Sequence, residues 1–135
     1  MPPSFLDTNV FLRHLLQDHP EHSPRATAFF SGIERGEIEV RALETVIFET
    51  VFTLERRLRH SKGAVRDNVL PLLRLPGISL PRKAIFTEIF DLYVDLNISV
   101  VDAYHAVSMR RLGLRDIVTF DNDFDRIPGI RRIEP

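Results

Sequence analysis

The run Ser4-Phe5-Leu6-Asp7-Thr8-Asn9-Val10 constrains the fold more than any other stretch of the chain. A short apolar segment stops at an acid, and helical apolar spacing begins at once with Val10, Phe11, Leu12, Leu15 and Leu16. This reads as a buried strand delivered straight into a helix, with Thr8 or Asn9 as the helix cap. In open parallel α/β sheets, ligands bind just beyond the carboxyl ends of the strands. Asp7 therefore has two readings at this point: a turn or cap acid, or an acid placed for chemistry or for a metal.

The alternation continues along the chain. Helical spacing runs from Asn9 to about Asp18. Ser23 reads as a cap and Pro24 as the first turn of a second helix that ends at Gly36. Glu37 to Ala42 alternates as a strand does, and a long helix is expected from Glu44 to Arg59. Ser61 caps a helix with Ala64, Val65, Val69, Leu72 and Leu73 as apolar positions, closed by Leu75-Pro76-Gly77. Ile78 to Leu80 is a very short strand, and Pro81 opens a helix carrying Ile85, Ile89, Phe90, Leu92 and Leu96. Ile98 to Val101 is a strand-like apolar stub before a helix from Asp102 to Leu112. Asp116 to Asp121 is the clearest strand in the chain, and Ile130 to Ile133 adds a last one. Strands alternating with helices specify the α/β class with a mainly parallel sheet. No linker, repeat or low-complexity tract divides the 135 residues, so one domain over 1–135 is expected.

Composition narrows the chemistry. There is no Cys, which removes disulfide scaffolds and thiolate metal sites. The formal net charge of -1 argues against holding nucleic acid by bulk positive charge alone. Lys62 and Lys83 are the only lysines, so the positive charge is nearly all Arg, which suits bidentate phosphate or carboxylate contacts. Met1-Pro2-Pro3 lacks the pattern of a signal peptide, and no apolar run approaches bilayer length, so a cytoplasmic location is the expectation.

Four acids are hard to explain as ordinary solvated charge. Asp7 and Asp121 each end a strand, and in one parallel sheet both carboxyl ends would lie on the same edge. Asp102 follows the apolar stub and opens a helix, where an N-cap role competes with a site role. Glu49 sits in Val46-Ile47-Phe48-Glu49-Thr50-Val51-Phe52 with no cation at helical spacing. Burial of such an unpaired carboxylate is expensive, so Glu49 is either outward on a surface helix or pointed at a site or a cation. Two carboxylates about 4 Å apart repel by roughly 4 kcal/mol at an effective dielectric near 20. If the four converge, a cation must neutralise them or some of them must stay protonated. Oxygen-only ligands suit Mg²⁺ or Mn²⁺ rather than Zn²⁺. Carboxylate-held Mg²⁺ activates water and offsets phosphate charge, which points to metal-dependent phosphodiester chemistry.

The segments Phe5-Leu6-Asp7-Thr8-Asn9, Thr45 to Leu54, Val101-Asp102-Ala103 and Val118-Thr119-Phe120-Asp121-Asn122-Asp123-Phe124 resemble the PIN-domain nucleases, most of all the VapC-type toxins of toxin–antitoxin pairs. The resemblance covers essentially the whole chain. It implies a three-layer α/β/α domain and Mg²⁺- or Mn²⁺-dependent endoribonuclease activity. Asp7, Glu49, Asp102 and Asp121 would be the catalytic and metal-holding acids, with Glu44 as the alternative to Glu49. Thr8 and Thr119 would support the site, with Asp123 either assisting or serving as a turn acid. It also implies an RNA substrate, a cognate antitoxin and a homodimer. Phe29, Phe30, Phe48 and Phe52 could supply the apolar groove for an antitoxin helix.

Arg56, Arg57, Arg59, His60, Lys62 and Arg66 form the densest basic run, which reads as an RNA grip or as a solvated helix end. His105 lies one turn after Asp102, within ligand reach or simply packed. Two other readings compete: a receiver-like Mg²⁺-binding signalling domain and a DNA-directed PIN nuclease. The first wants adjacent acids after the opening strand and a Lys ending a late strand, and neither is present.

Overall fold

The computed structural model describes residues 3–135; Met1 and Pro2, read above as the start of a chain without a signal peptide, lie outside the described residues. The chain folds as two compact units, Met1–Lys83 and Ala84–Pro135.

In the first unit, β1 (Ser4–Phe5), β2 (Val40–Arg41) and β3 (Ile78–Ser79) form a parallel sheet in the order β1-β2-β3. Ser4 pairs with Val40, and Val40 with Ile78. Each step between neighbouring strands crosses over through helices: α1 (Thr8–Leu16) and α2 (His22–Glu34), then α3 (Glu44–Phe52) and α4 (Lys62–Leu73). Helical spacing buries Phe11, Phe30 and Ile33, with the Phe11 and Phe30 rings 5.3 Å apart. Val46, Ile47 and Val51 are buried on α3, and Val65, Val69 and Leu73 on α4. Gly77 has a steric reason to be glycine. A Cβ there would stand 2.8 Å from Ile33 Cγ2 and 2.9 Å from the Ile38 carbonyl oxygen.

Several boundaries differ from the sequence reading. The N-cap of α1 is Asp7 itself, in extended conformation and with no side-chain cap hydrogen bond, so neither Thr8 nor Asn9 caps. Ser23 lies inside α2, where its Oγ accepts the His19 N–H at 3.1 Å. The strand expected over Glu37 to Ala42 contracts to Val40–Arg41. The long helix from Glu44 gives way after Phe52 to a π turn, Thr53–Arg57, and Arg59 has a left-handed φ of 58° that ends it. Ser61 does cap α4, its Oγ accepting the Ala64 N–H. Pro81 does not open a helix, because Arg82 adopts φ 52°; a 3-10 turn, Lys83–Ile85, precedes the next helix instead.

In the second unit, α5 (Phe86–Asp95) buries Phe86, Ile89, Phe90 and Tyr93 on one face, and α6 (Val100–Arg111) buries Val100, Ala103, Ala106 and Val107. The stub Ile98 to Val101 is not a strand. Ser99 is the N-cap of α6 and accepts the Asp102 N–H, which draws Val100 and Val101 into the helix. β4 (Asp116–Val118) and β5 (Arg131–Ile133) pair in parallel, held at one end by a bidentate Asp116–Arg131 ion pair. Among the described residues β1 and β4 therefore belong to different hydrogen-bonded sheets, and the shared-edge argument for Asp7 and Asp121 does not hold in that form. All strand pairs are parallel, as expected of the α/β class. No helix among the described residues is long and apolar enough to cross a membrane.

One packing detail makes the first unit pH-sensitive. Gln17 Nε2 donates to Thr27 Oγ1 at 2.9 Å, and the same hydroxyl shares a hydrogen bond with His14 Nδ1, also 2.9 Å away. The His14 ring lies 4.7 Å from Phe30, and burial lowers its pKa from the usual 6.5. The unfolded chain then takes the proton first, so stability falls as pH drops below about 6.5. Urea midpoints measured at about pH 7.5 and about pH 5 are expected to differ more for the wild type than for His14→Gln. An equal difference in both proteins would exclude His14 as the cause.

Candidate active site

The first unit gathers three of the residues singled out from sequence. Asp7 is exposed, and because its carboxylate makes no cap bond it is not consumed by the helix it starts. Thr8, the first residue of α1, is only 5% exposed, and its hydroxyl donates to Glu49 Oε2 at 3.0 Å. Glu49 itself is exposed, so the expectation of a buried, unpaired carboxylate is corrected. What holds Glu49 is a hydroxyl from a helix 41 positions earlier. The alternative acid, Glu44, is paired with Arg82 at 3.5 Å.

The second unit gathers the remaining acids. Asp102 stands in the first turn of α6, Asp121 caps the 3-10 turn Asn122–Arg126, and Asp123 lies within that turn. One carboxylate oxygen from each falls within 4.8 Å of the others. The local chain explains the convergence. Thr119 Oγ1 accepts the Asp121 N–H at 3.0 Å, and Asp121 Oδ1 accepts the Asp123 N–H at 2.9 Å, folding the segment back on itself. Arg126 joins the two halves: its guanidinium donates to Asp123 Oδ1 and to the carbonyls of Leu96 and Asn97, just before α6.

Burial raises the Asp102 pKa above its ordinary value, and the negative charges of Asp121 and Asp123 push the same way, against the Ser99 hydroxyl and His105. Arg126 offsets one of three negative charges, so the cluster keeps an excess of negative charge. Three carboxylates without a thiolate or an imidazole among them form a donor set of the hard-cation type, fitting Mg²⁺ or Mn²⁺ better than Zn²⁺.

Asp102 is not the N-cap that its position suggested, and Asp123 lies in the turn with one oxygen in the three-carboxylate group. Arg126 and Ser99 were missed from sequence. The signals were Asp123-x-x-Arg126 and the capping spacing Ser99-x-x-Asp102. His105 is exposed. Glu55 pairs with Arg56 and Lys62, which takes those two out of a purely basic run. Phe30 is core and cannot line a surface groove; Phe29 does, in a cavity between α1 and α2 of 580 Å³ that Val10, Arg13 and Arg25 also line.

The PIN domain family matches residues 4–130, spanning both units and every acid named here. The chain is also similar to a VapC ribonuclease of Aquifex aeolicus (strain VF5). The two are 23% identical over 130 residues, which cover 96% of this chain and 95% of that protein.

Proposed function

This chain belongs to the PIN domain family, and from that premise we propose that it is a Mg²⁺- or Mn²⁺-dependent endoribonuclease toxin of the VapC type, held in check by a cognate antitoxin. The observation that carries the reading is the cluster of Asp102, Asp121 and Asp123 in a chain matched by that family over 4–130. The likeness to a VapC ribonuclease supports RNA as the substrate. We assign Asp7, Glu49, Asp102 and Asp121 as the catalytic and metal-holding acids, with Thr8, Thr119 and Asp123 in support, and both units as one nuclease domain over 1–135. A divalent cation, for which Asp102, Asp121 and Asp123 offer a fitting donor set, would supply activation of water and neutralisation of charge at the phosphate.

The chain's own groups do the rest. Thr8 fixes the rotamer of Glu49 by its hydroxyl, which a free Glu on an exposed helix would otherwise sample widely. Thr119 and Arg126 hold Asp121 and Asp123 against their mutual repulsion. Asp7, free of the cap, is available to accept a proton or to ligate. The cavity between α1 and α2, part apolar and part cationic, supports docking of an antitoxin segment, and the protein is expected to act as a homodimer in the cytoplasm.

The wild type is expected to cleave single-stranded RNA when Mg²⁺ or Mn²⁺ is present and to stop when a chelator is added. Cleavage that persists in chelator would overturn the metal mechanism. Cleavage of single-stranded DNA in preference to RNA would overturn the substrate.

A further inference from the structure

Phe120 is the most exposed of the large apolar side chains among the described residues, at 74%. Burial of an aromatic ring is among the larger stabilising contributions open to a side chain, and this ring forgoes it. Its backbone is nevertheless pinned. The Thr119 N–H donates to the Ile133 carbonyl at 3.0 Å, and Thr119 Oγ1 accepts the Asp121 N–H at 3.0 Å. The residue after Phe120 is Asp121, a member of the carboxylate cluster. A solvent-facing π surface on a pinned backbone thus stands one residue from the acids.

The charges around it say what that surface is for. Arg131 is paired with Asp116, Arg132 with Asp125 and Glu134, and Arg126 with Asp123. These guanidiniums are already matched by acids of their own chain. A strand approaching here gains more from contact with a base than from contact with its backbone. Aromatic side chains hold unpaired bases by stacking, which carries no charge and tolerates any sequence.

We propose that Phe120 is a stacking platform for an unpaired nucleobase next to the scissile phosphate, so that this segment selects single-stranded RNA. The inference rests on the nuclease reading above. Phe120 is a substrate-binding residue in this scheme and moves no proton.

The chain has no Trp, so Phe120→Trp introduces a unique reporter. In an Asp7→Asn background, its emission is expected to be quenched saturably by a single-stranded oligoribonucleotide and not by an abasic strand of the same length. In the wild-type background, Phe120→Ala is expected to raise KM for single-stranded RNA by about 5- to 100-fold with kcat nearly unchanged, while Phe120→Trp keeps KM within about threefold. Quenching without any cleavage by the wild type would support the platform and overturn the nuclease reading. Cleavage with an unchanged KM for Phe120→Ala, or equal quenching by the abasic strand, would overturn the platform and leave the nuclease reading standing. A shift in the mass of the assembly on Phe120→Ala, without a change in RNA affinity, would assign the ring with its exposed neighbour Val118 to a protein contact and likewise overturn it.

Discussion

Asp7→Asn is expected to lower RNA cleavage by at least about a hundredfold, since loss of partners that merely orient metal ligands already costs about 10- to 100-fold. The same change is expected to leave the melting temperature within about 3 °C of the wild type, and the structure explains why the two effects separate. Asp7 occupies the N-cap of α1 without a cap hydrogen bond, so no bond is lost on substitution. Asn is as good an N-cap as Asp, and only the interaction of the charge with the helix dipole disappears, worth about 0.3–1 kcal/mol. A drop in activity matched by a large drop in stability would mean that Asp7 is structural. Undiminished cleavage would remove it from the reaction.

Saturating Mg²⁺ or Mn²⁺ is expected to raise the wild-type melting temperature by about 10 °C, and Asp121→Asn is expected to lose most of that rise. Metal at about a hundred times its dissociation constant stabilises the folded state by about 2.7 kcal/mol, and each kcal/mol moves the midpoint of a chain of this size by about 4 °C. Asn at position 121 keeps the Oδ1 that accepts the Asp123 N–H, so the turn survives and only ligand charge is removed. In chelator the variant is expected to be at least as stable as the wild type, because a like charge has left the neighbourhood of Asp102 and Asp123. Asp116→Asn serves as the control. Asp116 is exposed and paired with Arg131 at the surface, so its replacement is expected to leave the metal-induced rise intact. Equal metal shifts in all three proteins would place the binding elsewhere.

Much of the fold could be read directly from local signals. Ser61 capped as its position required, and two of the apolar positions expected on the helix after Pro81, Ile89 and Phe90, are buried on α5. Asp116 to Asp121 was the clearest strand in sequence; the structure keeps Asp116–Val118 as a strand, and Asp121 falls beyond it as the cap of a 3-10 turn. Errors arose where two local codes overlapped. Ile98 to Val101 is apolar enough for a strand, yet Ser99 three residues before Asp102 is a capping signal, and the cap prevailed because it satisfies an otherwise orphaned N–H. Helical spacing continued past Phe52, but a backbone that widens to a π turn leaves no trace in apolar periodicity. The assignment of the four acids was reached from sequence partly through a wrong premise. Glu49 is exposed rather than buried, and what distinguishes it is the hydroxyl of Thr8.

Sequence alone determined that the chain is α/β and that its strands are parallel, and it singled out Asp7, Glu49, Asp102 and Asp121 as the acids to test. Those conclusions follow from apolar period and from the absence of neighbouring cations, both of which are local along the chain. Only the tertiary structure decided that Asp123 joins Asp102 and Asp121, that Arg126 ties them to the loop before α6, and that Thr8 holds Glu49. It also put Asp7 at the N-cap of α1 with a carboxylate that makes no cap hydrogen bond. Contacts between distant residues are set by how helices and turns pack, and a carboxylate's neighbours in space govern its charge far more than its neighbours in sequence.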